Sequence, residues 1–363
     1  MSVQTLPVEQ FISLVTRPAC QAGSSVGAVP IVDVRSPAEY HHAHVPGAHH
    51  LPLFTDEERA IVGTIYHHQG RQAAIRAGLD FFGPRMRRIT EQAEAILKKY
   101  HPDQQSVCLY CWRGGMRSKA IAWLLDLMGY SVYLLQGGYK AFRNAVLQSF
   151  TLPLPIMLIG GYTGSGKTRM LQKLREQGIR VIQLEDLAHH RGSAFGDLGM
   201  PLQPTQEMFE NLLAMEIFRL LQRSDIRETG IWMEDESQRI GDLVIPPALW
   251  QQMRKAPLYF LEVPFEQRLQ QIVTEYGIYD RGLLEAAILR ISKRLGGAAT
   301  KQALDYLHAR QIQACFEILL HYYDKLYLKS LHQREPSVPV HHISVENASE
   351  QHIITCLKQA SIS

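Results

Sequence analysis

Short apolar runs alternate along the chain with longer segments in which apolar residues recur at helical spacing. Runs of this kind, bounded by turn formers, are typical of buried strands. They are residues 29–35, 106–110, 131–135, 156–159, 179–182, 231–233, 258–263 and 338–345. The helical segments are 56–100, 118–127, 139–150, 167–177, 206–223, 285–295, 304–328 and 350–360, and Gly70, Gly78 and Gly83-Pro84 should break the first of them. Strands that alternate with helices predict an α/β protein whose parallel sheets are covered on both faces.

Two prolines interrupt this alternation at positions 153 and 155. Proline can neither continue a helix nor sit in a central strand, so residues 151–155 are the best candidate for a linker. A chain of 363 residues is also long enough for two domains of roughly 150 residues each. We therefore expect one domain over residues 1–150 and a second over residues 151–363, whose C-terminal part is mainly helical.

Composition limits the class of protein without giving a function. Apolar residues make up 46% and charged residues 20% of the chain, as in soluble globular proteins, and the net charge of +3 neither requires nor excludes a nucleic-acid partner. No stretch approaches the roughly 20 apolar residues that span a bilayer, and the N-terminal segment lacks the pattern of a secretory signal. We therefore expect a cytoplasmic protein. Five cysteines, an odd number, argue against a disulfide framework.

Residues 161–168 match the P-loop pattern G-x-x-x-x-G-K-[ST] and lie between a predicted strand and a predicted helix, as that motif requires. Gly161, Gly164 and Gly166 allow backbone N–H groups to turn around phosphate oxygens, and the helix N-terminus adds partial positive charge. Lys167 supplies a full charge to the terminal phosphates, and Thr168 can hold a Mg²⁺ ion. The segment is therefore predicted to bind a diphosphate or triphosphate group.

Carboxylates that could complete this site follow the strand predicted at residues 231–233. Either Asp235 or Glu236 could reach the metal shell, directly or through water, and the sequence does not rank them. Arg191 lies in a loop after the strand predicted at residues 179–182 and, from its position, could face the same phosphate.

A second anion-binding loop is predicted between the strand at residues 106–110 and the following helix. It places the Cys111 thiol in a cradle of backbone N–H groups. Arg113 and Arg117 add positive charge and should favour the thiolate, so Cys111 is predicted to be a nucleophile for an anionic electrophile. Cys108 and Cys111 also form a C-x-x-C pair, but no second pair exists to complete a zinc site, and Cys108 lies inside the strand.

The cysteine loop alone leaves three classes of function open. Cys-x5-Arg followed by Ser resembles the protein tyrosine phosphatase signature, although Tyr110 stands where that signature has His. A P-loop kinase or ATPase fused to such a phosphatase is therefore one alternative, and a plain sulfurtransferase is another. The third is a non-catalytic module that binds RNA or a partner, against which the intact Cys111 and Lys167 argue.

The rest of the first half resembles a rhodanese domain, in which a loop cysteine carries sulfur or a related chalcogen. The resemblance rests on residues 33–40, 43–48, 51–53 and 136–138 together with the cysteine loop. A rhodanese domain joined directly to a P-loop domain resembles the bacterial tRNA 2-selenouridine synthase family. This resemblance extends to residues 62–64, 66, 69–70, 78, 184–185, 190–196, 234–237 and 322–324. Two departures from the plain rhodanese pattern are a cysteine loop one residue longer than usual and an insertion at residues 20–28 that contains Cys20.

The resemblance implies a transferase that acts on the wobble uridine of the tRNAs for Lys, Glu and Gln. Selenophosphate supplies selenium, Cys111 carries it, and 2-thiouridine becomes 2-selenouridine by way of an S-geranyl intermediate made from geranyl diphosphate. The diphosphate would lie on the P-loop. No tightly bound cofactor is expected apart from a Mg²⁺ ion at Thr168, and we expect a monomer that does not bind membranes.

RNA binding requires a basic surface and exposed rings. Trp112 could stack on the target base beside Cys111, and the resemblance places Gly70 and Gly78 at the substrate pocket. Phosphate contacts are predicted from five basic residues, Arg85, Arg87, Arg88, Lys293 and Arg294.

Overall fold

The computed structural model describes residues 3–17, 28–100, 105–222, 230–345 and 350–360. The chain divides into two compact units, one formed by Met1–Ser149 with Glu210–Gln222 and the other by Phe150–Phe209 with Arg223–Ser363. Both units contain a parallel sheet, so the predicted α/β class is confirmed. Cys20 lies outside the described residues.

The first unit is built on a five-stranded sheet with the order β1-β5-β4-β2-β3, in which all neighbours are parallel. The strands are β1 (Val3–Leu6), β2 (Ile31–Asp33), β3 (Ala48–His50), β4 (Ser106–Tyr110) and β5 (Ser131–Leu135). The helices are α1 (Val8–Val15), α2 (Pro37–His42), α3 (Asp56–Gln69), α4 (Arg71–Phe82), α5 (Met86–Tyr100), α6 (Met116–Leu127) and α7 (Gly138–Ser149), with a 3₁₀ turn over Gly83–Arg85.

Local sequence explains where several of these helices begin and end. Ser36 caps α2 in a capping box with Glu39, and Pro37 occupies the first helical position, where its missing N–H costs nothing. Gly70, at φ 84°, separates α3 from α4 as predicted. The prediction that Gly78 breaks the helix is wrong. Gly78 is buried inside α4, and an added Cβ would lie 3.3 Å from Phe54 Cζ, so close packing explains the glycine.

The second unit has a four-stranded parallel sheet with the order β11-β10-β6-β7 and a short antiparallel hairpin. The strands are β6 (Ile156–Gly161), β7 (Ile231–Glu234), β8 (Arg239–Ile240), β9 (Leu243–Val244), β10 (Leu258–Glu262) and β11 (Val340–Ser344). The helices are α8 (Lys167–Glu176), α9 (Leu184–Ala188), α10 (Gln206–Leu221, which continues into the first unit), α11 (Pro247–Lys255), α12 (Phe265–Tyr276), α13 (Arg281–Arg290), α14 (Ser292–Leu295), α15 (Gly297–His308), α16 (Ile312–His332) and α17 (Glu350–Ala360).

Three predicted elements of this unit differ from the structure. The single helix expected at residues 285–295 is divided at Ile291 into α13 and α14. The strand expected at residues 179–182 is reduced to one bridge between Val181 and Trp232, because the chain turns into α9 directly afterwards. The single helix expected at residues 304–328 is two helices, since Arg310 adopts a left-handed conformation with φ 60° between α15 and α16.

Each unit buries its own apolar clusters against its sheet. A third cluster lies among the helices α12, α13, α15 and α16 of the second unit. Among the described residues, no helix combines the length and the apolar character needed to cross a membrane.

Candidate functional site

The cysteine loop connects the carboxyl end of β4 to the N-terminus of α6. Cys111 is the first residue after the strand and is only 3% exposed. Its Sγ accepts a hydrogen bond from Gly115 N at 3.3 Å and lies 3.2 Å from Ser118 Oγ. Backbone N–H groups and the start of a helix therefore surround the sulfur, an environment that favours negative charge.

The start of α7 fixes the far side of this loop. Tyr139 N donates to Cys111 O at 2.9 Å, and Lys140 N donates to Trp112 O at 3.1 Å. Gly138, at φ 62°, allows this approach, because an added Cβ would lie 2.3 Å from Cys111 O. Glycine at position 138 is thus required by the close contact of two backbone segments.

A buried network of hydrogen bonds holds the residue that precedes the cysteine loop. The hydroxyl of Tyr110 donates to Asp33 Oδ2 at 2.8 Å and accepts from Val45 N at 3.0 Å. Arg35 pairs with Asp33 through two guanidinium nitrogens, and its Cζ lies 3.9 Å from the ring centroid of Tyr139. Tyr110 is therefore a fully buried anchor, which gives a structural reason for a tyrosine immediately before Cys111.

The two arginines of the loop have different surroundings. Arg117 Nη1 donates to Glu39 Oε2 at 2.7 Å, which ties the start of α6 to α2. Its neighbour Arg59 lies 3.8 Å from the same carboxylate. No hydrogen bond or ion pair fixes the side chain of Arg113 within the described part of the chain, so it can still approach an anion at Cys111.

Trp112 is 38% exposed beside the cysteine, and its ring lies 5.6 Å from that of Tyr139. It remains a candidate for stacking on a base. Gly78 packs against Phe54, and Gly70 forms the bend between two exposed helical segments. The pocket role expected for these glycines stays a prediction.

The P-loop of the second unit joins β6 to α8 as the motif requires. Gly161, Gly164 and Gly166 all have φ values in the region that favours glycine, at 148°, 80° and 77°. An added Cβ on Gly161 would lie 2.4 Å from Ser165 Oγ, and one on Gly164 would lie 3.0 Å from Arg268 O. The backbone can therefore curve around an anion only with glycine at these positions.

Lys167 is buried in this loop and held from two sides. Its Nζ donates to Gly161 O at 3.0 Å and to the hydroxyl of Tyr327, on α16, at 3.5 Å. Burial opposes the charge most strongly, but the neighbouring Tyr327, Glu236 and Glu185 together raise the pKa of Lys167 above its ordinary value. The lysine thus stays protonated and ready to bind a phosphate oxygen.

Three buried carboxylates interact with one another beside the P-loop, and two of them, Glu185 and Glu236, also act on Lys167. Thr168 Oγ1 donates to Glu185 Oε2 at 3.0 Å, and Leu184 N donates to Glu234 Oε2 at 2.8 Å. Burial and the charge of Glu185 raise the pKa of Glu234 to about 8 and that of Glu236 well above the usual range. Among the described residues, none forms a hydrogen bond with Oε1 of Glu234 or with Oε1 of Glu236.

The two acids predicted for the metal site, Asp235 and Glu236, contact different residues. Asp235 forms an ion pair with Arg334, whereas the Glu236 carboxylate lies against Gly192, where an added Cβ would be 2.6 Å from Oε2. Arg191, the predicted anion clamp, forms an ion pair with Glu275. Glu236 is therefore the better placed of the two acids toward Lys167.

Sequence reasoning assigned no role to Glu185 or Tyr327. Glu185 is 17 residues from Thr168, and Tyr327 is 160 residues from Lys167. Glu185 lies in a segment already noted for its family resemblance, which was a usable signal. Nothing local distinguishes Tyr327 from the other tyrosines of α16.

Two family models match the chain in adjacent regions. Residues 154–361 match the model described as the tRNA 2-selenouridine synthase AAA domain. Residues 19–145 match the rhodanese-like domain.

Curated proteins match over most of the chain. A tRNA 2-selenouridine synthase of Bdellovibrio bacteriovorus is 34% identical over 353 residues, covering 85% of this chain and 91% of that protein. A protein of the same name from Shewanella denitrificans is 34% identical over 370 residues, covering 93% of this chain and 95% of the relative. One from Pseudomonas putida is 40% identical over 257 residues, covering 69% of this chain and 67% of the relative.

Proposed function

The chain belongs to the tRNA 2-selenouridine synthase family, and from this premise we propose that its two units catalyse two successive steps on one uridine. The protein is a transferase that modifies tRNA. Its proposed substrate is 2-thiouridine at the wobble position of the tRNAs for Lys, Glu and Gln, and its proposed product is 2-selenouridine.

The first proposed step is alkylation of the sulfur by geranyl diphosphate. The thiouracil sulfur attacks C1 of the geranyl group, a C–S bond forms, the C–O bond breaks, and diphosphate leaves with the bonding electrons. The thiouracil ring releases its N3 proton. This step prepares the base, because sulfur bonded only to C2 leaves poorly, whereas an alkylated sulfur can leave as a thiol. The P-loop, with buried Lys167, is the proposed diphosphate site.

The second proposed step replaces sulfur by selenium. The Cys111 thiolate attacks the phosphorus of selenophosphate, the P–Se bond breaks, and the hydrogen selenide that is released adds to C2 of the base. The C–S bond then breaks, geranyl thiol leaves with a proton, and N3 of the ring regains its proton. Water hydrolyses the phosphocysteine and releases phosphate. The observation that carries the proposal is the placement of Cys111 and Lys167. Each lies in a loop at the carboxyl end of a parallel strand, directly before or at the N-terminus of a helix. One loop presents a nucleophilic sulfur and the other presents a cation.

A divalent cation fits the P-loop site. Mg²⁺ is commonly held by one or two protein oxygens together with substrate phosphates and water. Thr168 and Glu185 supply such oxygens, and the unpartnered oxygen of Glu236 offers a further acceptor. Bound there, Mg²⁺ would neutralise charge on the leaving diphosphate.

The decisive experiment supplies the protein with an anticodon stem-loop that contains 2-thiouridine. Geranyl diphosphate and selenophosphate are added singly and together, and the nucleosides are analysed by mass spectrometry. We expect S-geranyl-2-thiouridine with the first donor alone and 2-selenouridine with both. Absence of any selenium nucleoside with both donors, combined with turnover of a phosphoester, would favour the kinase-phosphatase alternative.

A further inference from the structure

A cavity of about 600 Å³ opens in the second unit beside the P-loop. Its walls come from α16, the loop after α9, the segment after β7 and the junction of α13 with α14. Tyr327 and Glu236 belong both to this wall and to the surroundings of Lys167. A group bound in the cavity would therefore lie next to a diphosphate held by the loop.

One wall of the cavity is aromatic. Tyr322, Tyr323 and Tyr327 of α16 contribute to it, and Phe260 of β10 lies in the same lining. The hydroxyl of Tyr323 accepts a hydrogen bond from Ala194 N at 2.9 Å, which fixes the Tyr323 ring. The centroid of the Tyr322 ring lies 5.1 Å from the centroid of the Tyr323 ring. Tyr322 is half-buried, so part of its ring is available for stacking.

Arginines lie along another part of the lining. Arg239 and Arg294 are exposed, and neither pairs with a carboxylate within the part of the chain that the structure describes. Arg290 is held by two hydrogen bonds to Asp197, at 2.7 and 2.9 Å. Two cationic side chains are therefore available to anions that reach the mouth of the cavity.

We propose that this cavity receives one unpaired nucleotide of the RNA substrate, with its base on the Tyr322 ring and its flanking phosphates near Arg239 and Arg294. Enzymes that modify a base bring it out of the stack into a pocket, where aromatic rings and arginines hold it. The inference rests on the proposed function, in which the sulfur must reach a carbon attached to the P-loop diphosphate.

Photocrosslinking locates the nucleotide directly. The full-length protein is irradiated with an anticodon stem-loop that carries 5-iodouridine at the wobble position, with no donor present, and the crosslinked peptide is sequenced. The proposal predicts a crosslink within residues 318–331, a segment of α16. Crosslinks confined to peptides outside the cavity lining would overturn it.

Stacking is tested by equilibrium binding of the same stem-loop, containing 2-thiouridine, to Tyr322→Ala and Tyr322→Phe proteins. Loss of the ring should weaken binding by roughly 5- to 150-fold, the range known for base stacking, whereas phenylalanine should retain the affinity of the parent. Tyr306→Ala is the matched control, because Tyr306 packs on the same apolar cluster outside the cavity. Equal affinity of Tyr322→Ala and parent, or equal losses in Ala and Phe variants, contradicts the proposal.

The arginines are tested by the salt dependence of binding. Arg294→Ala should lower the slope of log affinity against log salt by about one, while the control Arg175→Ala, exposed on α8, leaves it unchanged. An unchanged slope in Arg294→Ala argues against the contact. Displacement of the stem-loop by millimolar free nucleotides would show that the cavity binds nucleotides as such and not the RNA.

These binding measurements contain no donor, so they are independent of the alkyl transfer. A protein that binds the stem-loop through Tyr322 but forms no geranylated product would overturn the proposed function alone. A protein that geranylates RNA while Tyr322→Ala binds normally would overturn only the inference about the cavity.

Discussion

Two cysteines three residues apart have opposite surroundings. Cys108 lies inside β4, and burial raises the pKa of its thiol far above the ordinary value. Cys111 lies just beyond the strand, where Gly115 N and Ser118 Oγ approach its sulfur. We therefore assign Cys108 a role in packing and Cys111 a role in the chemistry.

Cys111→Ser should abolish selenation and leave stem-loop affinity unchanged, because an alcohol at this site does not ionise near neutral pH. Cys108→Ser should retain activity but cost about 1–3 kcal/mol of stability, since it buries a hydroxyl in an apolar environment. Selenation assays and thermal melting of both proteins check this prediction. Equal loss of selenation in the two variants would indicate that the cysteines act as a dithiol pair.

We expect two histidines of the first unit to make its stability depend on pH. The imidazole rings of His44 and His50 both stack on the ring of Tyr40, and their centroids lie 4.0 and 4.3 Å from the centroid of that ring. Burial lowers the pKa of both imidazoles below the ordinary value. The folded state therefore favours their neutral forms, whereas in the unfolded chain they take up protons below about pH 6.5.

Because the unfolded state binds more protons, this contribution to stability is present above about pH 6.5 and is lost as the pH falls through the lower pKa values of the folded state. We expect the melting temperature to fall between about pH 7.5 and pH 5.5, and to fall less in His44→Gln and His50→Gln. His67→Gln, on the exposed side of α3, is the control. The same pH dependence in all four proteins would exclude these two histidines as its source.

At the level of residues, the sequence identifies the groups that a motif defines but not their partners. Lys167, Thr168 and Cys111 follow from local spacing alone. Tyr327 and Glu185 do not, because their contacts depend on how α16 and α9 are placed by the fold. Arg191 illustrates the converse, since its loop position suggested an anion and its ion pair is with Glu275.

The element that positions Cys111 depends on the glycines after β5. Gly138→Ala should destabilise the first unit by about 2 kcal/mol or more, because its Cβ would collide with the backbone of Cys111 and Gly114 and its φ is positive. Selenation should fall with the loss of the loop conformation. Gly63→Ala is the control, since nothing lies within 4 Å of an added Cβ in the middle of α3.

Thermal or urea unfolding of the two variants measures this difference. Gly63→Ala should be as stable as the parent or gain about 0.5–1 kcal/mol, the usual advantage of alanine in a helix. A Gly138→Ala protein with the stability and selenation rate of the parent would show that the two backbone segments can separate without cost.

Strands were predicted correctly where an apolar run bounded by turn formers also pairs with neighbouring strands along its length. The strands Ser106–Tyr110 and Ser131–Leu135 have the predicted bounds, because each is an apolar run closed by turn formers. Residues 179–182 have the same composition but contact β7 at one point only. The break at Arg310 could not be predicted either, since a left-handed arginine leaves no mark in the hydrophobic pattern.

At the scale of the whole molecule, the chain passes between the two units more than once. Segment Glu210–Gln222, which contains most of α10, belongs to the first unit. Arg143 Nη1 donates to Asn211 Oδ1 at 2.7 Å, and Asn211 Nδ2 donates to the Tyr139 hydroxyl at 2.8 Å. The prolines at positions 153 and 155 lie close to the point where the chain first passes from one unit to the other. The assignment of residues 210–222 to the first unit depends on tertiary contacts, which the sequence pattern does not contain.

The central claim is that the two units divide the chemistry between Lys167 and Cys111. It is tested most directly by assaying geranylation of 2-thiouridine RNA and selenation of RNA that is already geranylated, each with Lys167→Ala and with Cys111→Ser. Lys167→Ala should lower geranylation by about 10- to 100-fold, as loss of a charge-assisted hydrogen bond implies, and spare selenation. Cys111→Ser should show the reverse pattern. If both variants lose both steps equally while folding and RNA binding are retained, or if Lys167→Ala geranylates at the rate of the parent, the division of labour proposed for the two loops is wrong.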